Sequence, residues 1–289
     1  MVVWSVQDYI TLIEKLTRNY TYEVPHPIFG NQINTPHFVF RGHSDIEYSL
    51  LPQMFRWRDL SNGQAVAEFQ QIEYNILTDF ISEACRFIKN IPESDIPAWL
   101  EVAQHFGVPT RLLDFTENPL VALYFACIGS PEKSAAVWII NEPAYNKRFF
   151  GQSTIIQSAM SQSTVSKIVT EEIIWQNYQL HSGNFYYIQY PWIYKPHYRE
   201  ERMTSQSSIF MLWGAILQPL TNIIDSCNYM LEDQVSNAEC GIICKIQVPA
   251  SAKKSLLKQL DLCGINEKFI YPGIDGVGRF IKRRYSYNS

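Results

Sequence analysis

Apolar residues recurring every three or four positions mark the longest helix. Val66, Phe69, Ile72, Ile76, Phe80, Ala84 and Phe87 share one face of residues 64–89 and read as a core-facing stripe. A first helix is expected over 5–19, with Ser5 as N-cap and Asp8 at the capping-box position. Residues 96–106 form another, stopped by Gly107, and 118–127 a third, with Pro119 in its first turn. β-rich runs put strands at 37–40, 135–140, 185–189, 209–213 and 242–248, and a short strand carries Leu112 and Leu113 between Arg111 and Asp114. Three prolines (Pro25, Pro27, Pro36) make 21–36 an irregular arm, and 43–60 read as a turn and a short extended piece. The Ser/Thr/Gln-rich stretch 151–170 is the best candidate for a mobile loop or insertion. Residues 171–180 suit a helix, 251–262 a helix with a basic, solvated face, and 277–284 a terminal helix. Strands and helices mix without regular alternation, so α+β is favoured over a doubly wound sheet.

Composition narrows the function classes. With 24 Lys+Arg against 28 Asp+Glu in 289 residues, the formal net charge is −4, which excludes a polybasic nucleic-acid coater and an acidic tail. Charged residues are 18%, below the ~25% usual in soluble domains, while aromatics reach 14% and suit pockets lined by flat rings. Residues 1–8 lack a basic start followed by an apolar run, and the longest apolar stretch, 120–128, is far short of a membrane span. A cytoplasmic protein with no membrane partner is expected. Of six cysteines only Cys240 and Cys244 lie close together, so free buried thiols are expected and no metal site.

Two segments concentrate chemistry. Arg41 ends an apolar strand in Phe40-Arg41-Gly42-His43; its planar fork suits phosphate or carboxylate, or else it pairs with a nearby acid. Gly42 lets a backbone come close. The second segment runs from Gln104 to Pro119 and holds His105, Arg111, Asp114 and Thr116. Arg111 and Asp114, three apart on a strand, face opposite sides and need not pair. Asp114 or Thr116 is placed to cap the following helix, whose N-terminus is a natural anion site. His105 is either a site residue or a hydrogen-bonded core residue. No Gly-x-Gly-x-x-Gly, Walker or Gly-x-Ser-x-Gly loop is present.

Phe40-Arg41-Gly42, then Gln104-His105-x-Gly107-x-Pro109-Thr110-Arg111-Leu112-Leu113-Asp114-x-Thr116-x-Asn118-Pro119-x-x-Ala122-Leu123-x-Phe125-Ala126, closely resembles the FRG domain family. Arg202-x-x-x-Gln206-x-x-x-Phe210 and Gly264-Ile265 with Tyr271-Pro272-x-x-Asp275-Gly276 resemble its later blocks; Ser207-Ser208 stands where the family often has Gln-Gly, and Tyr271 where it often has Phe. The resemblance covers 37–284 and treats 1–36 as an N-terminal helix and arm of one domain. The order of motifs is also similar to that of arginine-class ADP-ribosyltransferases: an aromatic-Arg-Gly strand, a strand ending in a small hydroxyl motif before a helix, and an acidic or Gln residue later.

That likeness implies a mixed sheet with a split, ADP-ribosyltransferase-like core and added N-terminal helices. It implies NAD as substrate, and a toxin or phage-defence effector that transfers ADP-ribose to a macromolecule. Arg41, His105, Asp114, Thr116 and Glu201 or Gln206 would form the catalytic set. Arg41, Gly42, Arg111, Thr116 and Arg202 would contact the dinucleotide. A non-catalytic binding module and an NAD glycohydrolase are the alternatives. RNA is favoured over protein as acceptor because Tyr186, Tyr187, Tyr190, Trp192, Tyr194 and Tyr198 alternate with Lys195, His197, Arg199 and Arg202. The tyrosines taken by themselves read more readily as core and interface, and a protein antitoxin is a further expected partner.

Overall fold

The computed structural model describes residues 1–26, 30–56, 63–93, 95–150, 190–196, 201–214, 216–226 and 241–286. Helix α1 (Val6–Tyr20) begins in the expected capping box: the Ser5 hydroxyl accepts from the Asp8 amide, and the Asp8 carboxylate accepts from the Ser5 amide. The segment read as an irregular arm is instead a hairpin, β1 (Tyr22–His26) against β2 (Gly30–Asn34). Pro25 pairs opposite Asn31 in this two-stranded ribbon, where every strand is an edge and a proline can be accommodated.

The main sheet has the order β6-β7-β4-β3-β5-β8. Its strands are β3 (Phe38–His43), β4 (Leu112–Thr116), β5 (Ala135–Asn141), β6 (Trp192–Tyr194), β7 (Ser208–Leu212) and β8 (Ile243–Val248). All its pairings are antiparallel rather than mixed. The ladders are uneven. β3 pairs with β5 along its whole length, from Phe38–Asn141 to His43–Ala136, and β4 pairs likewise with β7. Between β3 and β4 there is one register pair, Phe40 with Thr116. The sheet is therefore two three-stranded halves joined at a point.

Separate helical layers cover the outer faces of these halves. Helices α1, α4 (Pro119–Cys127) and α8 (Lys253–Leu262) pack on Phe38 and Phe40 of β3, Val137 and Ile139 of β5 and Ile246 of β8. Helices α2 (Gly63–Ala84) and α3 (Ile96–His105) pack on Leu112, Phe210 and Leu212 in the other half. The opposite sides, including Val39, Phe115, Trp138 and Met211, share one core with α5 (Glu142–Phe150) and α7 (Leu220–Asp225). Period-two alternation on β3 and β4 thus feeds different cores on each face.

Helix α2 stops at Ala84, five residues before the expected end at 89, and Phe87 is exposed beyond it. Ile76, Phe80 and Ala84 of its stripe do pack inward, while Val66 and Phe69 lie outside the described side chains. Gly107 follows α3 at φ +78°, the left-handed position that favours glycine. The basic face expected on α8 is not wholly solvated. Lys253 is buried, and its ammonium donates to the main-chain oxygens of Ser44, Gly129 and Ser130. Of the described cysteines, Cys127 and Cys244 are buried thiols, whereas Cys263 is exposed. The expected loop 151–170, helix 171–180 and strand 185–189 lie outside the described residues. Among the described residues no helix is long and apolar enough to cross a membrane.

Candidate functional site

The split between β3 and β4 opens a cleft of about 420 Å³, inside the size range of small-molecule sites. Its polar lining includes Arg41 and His43 from β3, Asp114 and Thr116 from β4, and Arg202 and Gln206 at and just after α6 (Glu201–Ser205). His105 comes from the last turn of α3, and Tyr48 and Arg56 from the segment after β3. Phe125 and Ile128 contribute an apolar wall.

Arg41 bridges the gap. Its Nη1 donates to the main-chain oxygen of Asp114 on the far side, so a side chain spans what the ladder leaves open. Its Nε donates to His43 Nε2 at 2.9 Å. That makes Nε2 the acceptor, places the ring proton on Nδ1, and directs it to the Tyr48 oxygen at 3.2 Å. Trp138 Nε1, 3.3 Å from the same Nδ1, is then a neighbour rather than a donor. Burial, with the Arg41 charge second, pushes the His43 pKa down to about 3, so the ring is neutral and able to accept. Burial also lowers Arg41 to about 10, which leaves it a cation at neutral pH. Among the described residues Arg41 Nη2 makes no hydrogen bond, and the side chain retains 18% exposure.

Asp114 is the single carboxylate among the described residues lining the cleft. It is half exposed, with Oδ2 3.9 Å from Arg41 Nη1. A chain of hydrogen bonds orients it: the Leu112 amide donates to Thr110 Oγ1, Thr110 Oγ1 donates to Gln104 Oε1, and Gln104 Nε2 donates to Asp114 Oδ2 at 2.7 Å. Arg41 therefore has both of its expected roles open, an acid beside it and a donor left over for an anion.

Other sequence expectations resolve differently. Neither Asp114 nor Thr116 caps α4. Asn118 does, accepting from the Leu120 and Val121 amides. Thr116 Oγ1 accepts from the Asn118 amide and donates to the Gln206 main-chain oxygen, joining β4, α4 and the turn before β7. The Gln206 side chain donates to the Ile270 oxygen, so it too is engaged internally. Arg111 lies outside the cleft lining: it forms a two-pronged pair with buried Glu73 of α2 and donates to the Trp213 oxygen. It faces away from Asp114, as three-residue spacing on a strand requires. Glu201 is exposed at the start of α6 and also lies outside the lining. His105 is half-buried in the lining, edge-on to Phe106 at 5.1 Å.

Gly42 lines the cleft and also lies hard against a helix. A Cβ there would sit 2.0 Å from the Ala122 oxygen and 2.6 Å from the Ala126 nitrogen, so glycine on β3 and alanines on α4 let strand and helix touch. Of the aromatic and basic cluster read as an RNA surface, Tyr190 packs at a tilt against Phe149, Trp192 against Phe150 and Tyr194 against Phe210, and Lys195 pairs with Glu117. Tyr186, Tyr187, His197, Tyr198 and Arg199 lie outside the described residues. Arg202 sits 4.9 Å from the Tyr271 ring centroid, a cation–π contact at the cleft wall.

Sequence reasoning missed His43, Gln104, Tyr48 and Arg56 as site residues. His43 and Gln104 had signals: two residues from Arg41 on a strand is the same face, and Gln104 precedes His105 in the long motif. Tyr48 and Arg56 had none, because a turn and a 3-10 segment (Gln53–Arg56) carry them to the rim.

Residues 36–135 match the family model of the FRG domain. Over that stretch the chain is similar to the FRG domain. The matched stretch contains both β3 and β4, the helix α4 packed on Gly42, and the Gln104–Asp114 hydrogen-bond chain. The FRG tripeptide itself is the part of β3 at the split: Phe40 makes the junction pair, Arg41 crosses the gap and Gly42 seats the helix. No curated protein and no solved structure matches the chain significantly.

Proposed function

We propose that this protein is a toxin or defence effector that cleaves NAD in the β3–β4 cleft and transfers ADP-ribose to a macromolecule, with RNA the first acceptor to test. The observation that supports this most is the convergence of three separate motif segments on adjacent strands around one split. Arg41 comes from β3, Asp114 and Thr116 from β4, and Arg202 from the helix leading into β7.

The residues fit the substrate. Arg41, with a donor to spare, and Arg202 offer cations for the two phosphates. Phe125 and Ile128 offer an apolar surface for a ring. Departure of nicotinamide breaks the ribose–nitrogen bond, the electron pair leaves with the ring, and positive charge builds on the ribose. Asp114, the lining carboxylate held by Gln104, is the group to stabilise that charge. An acceptor nucleophile then bonds to the ribose carbon and releases its proton. Asp114 takes the acidic role that the motif order assigned to Glu201 or Gln206.

A second reading is a nucleotide-binding module without turnover. Thr116 and Gln206 are both committed to internal hydrogen bonds, which leaves fewer groups poised for chemistry. The deciding experiment supplies NAD labelled in the adenylate part to the purified protein, alone and with RNA, single-stranded DNA or cytosolic protein. Label on a macromolecule is the expected result; free ADP-ribose without acceptor identifies a glycohydrolase; unchanged NAD in every arm overturns the enzyme reading.

A further inference from the structure

The terminal helix α10 (Ile274–Ser286) is seated by one face only. Gly276 packs so closely that a Cβ would lie 1.8 Å from the Tyr271 oxygen, Phe280 lies under Lys268, and Arg283 pairs with Asp261 and with Glu267 of α9 (Glu267–Ile270). Those residues recur at four and three positions and define the inward side. Ile274, Val277, Ile281 and Tyr285 recur in the same way on the outward side. Their exposures are 84%, 38%, 49% and 70%. Single exposed apolar residues are ordinary on a protein surface, but an aligned stripe is not.

The stripe is bordered by cations. At 3.6 residues per turn, Lys282 falls along one side and Arg284 along the other; Asp275 shares the Lys282 side in the first turn of the helix, and Arg279, against the Tyr271 ring, lies beyond Lys282. All three cations are exposed. Such a helix, apolar on one side with Lys and Arg flanking and a tyrosine at the end of the stripe, has the chemistry of an element that lies in a lipid headgroup layer. Charge complementarity selects the occupant. A symmetric dimer through this face would bring the basic borders of two copies together. An anionic bilayer surface meets the same borders with opposite charge. We propose that α10 is a docking face for a membrane surface rich in anionic lipid, with the helix lying along the interface rather than crossing it. The chain's net charge of −4 does not oppose this, because charges more than a Debye length (~8 Å) from the surface are screened. The face is independent of the β3–β4 cleft and of what the cleft binds.

The test is co-sedimentation of the full chain with phosphatidylserine–phosphatidylcholine vesicles and with phosphatidylcholine vesicles, at low and high salt. Binding to the anionic vesicles, weakened by salt and absent on the neutral ones, is expected. Ile281→Asp should abolish it, and Lys282→Glu with Arg284→Glu should weaken it at least ~10-fold. Ile274→Ser, at the most exposed stripe position, is the second apolar variant and should weaken binding without loss of helical circular dichroism. No partition of the wild type onto anionic vesicles overturns the proposal, as does equal partition by all the folded variants. Sedimentation velocity without lipid gives a further overturning result: a dimer that Ile281→Asp converts to monomer would assign the face to self-association.

Discussion

Asp114 and Thr116 stand two residues apart in one motif, yet the structure gives them different work. Thr116 has both hydroxyl functions engaged with main chain, so Thr116→Val should lower the melting temperature, with a loss of about 1–2 kcal/mol. Asp114 has its carboxylate half exposed in the cleft, so Asp114→Asn should leave the melt nearly unchanged and reduce nicotinamide release ~10²-fold. Thermal unfolding and product analysis of the two variants check the division of roles. The sequence presented both as caps or site residues, and could not separate them. That the Thr116 hydroxyl is consumed by its neighbours depends on Gln206, ninety positions away. The Asn118 cap was legible in principle, since Asn before Pro119 is a strong start signal, but the two upstream polar residues competed for the part.

At the scale of elements, polar clamps hold the two halves of the sheet and their helices in register. Glu73 and Arg111 fasten α2 to the entry of β4, with side chains only 2% and 11% exposed. Removing one charge strands the other, so Glu73→Gln should destabilise by about 3 kcal/mol, while Glu73→Met with Arg111→Met should recover much of that loss. Denaturant melts of the single and double variants measure it. Sequence alone suggested Arg111 as a phosphate ligand because its partner sits 38 positions upstream on another element. Gly42 gives the complementary steric case. With helix backbone at 2.0 Å from any added Cβ, neither partner can yield by a rotamer change. Gly42→Ala should cost at least about 2 kcal/mol or leave the protein insoluble, measured by the same melts.

His37 closes the junction end of the split. Immediately before β3, it bonds Glu117 after β4 through Nε2 at 3.1 Å and Glu142 after β5 through Nδ1. The Glu117 bond, then the Glu142 bond, raises its pKa from 6.5 to about 9 despite burial. A raised histidine pKa means the folded state holds the proton more tightly. The stabilisation is complete below pH 6.5 and is lost as pH rises through about 9. Melting temperatures of wild type and His37→Gln should therefore differ most at pH 6 and converge near pH 10, a range set by those two values.

For the whole molecule, hydrophobic periodicity and cap residues were enough to reveal the α+β class, α1, α3, α4 and the strands carrying Phe40, Val137 and Ile246. They were not enough to reveal the single-pair junction of β3 and β4, because both strands carry good β patterns and a ladder's interruption leaves no mark on period two. The hairpin after α1 was hidden by its prolines, which a two-stranded ribbon tolerates and a central strand does not. The cleft follows from topology: a sheet whose halves meet at Phe40 and Thr116 leaves Arg41 to bridge the opening and Asp114 to face it.

The most direct measurement of this account is calorimetric titration of NAD into the wild-type protein and into Arg41→Lys. Lysine keeps the charge but loses the fork that at once reaches His43, the Asp114 oxygen and a ligand. Saturable one-site binding by the wild type, weakened at least ~10-fold in a lysine variant that remains folded at the titration temperature, is the predicted result. Absence of NAD binding by the wild type, or equal affinity in a folded Arg41→Lys protein, would contradict the claim that the split is a dinucleotide site built around Arg41.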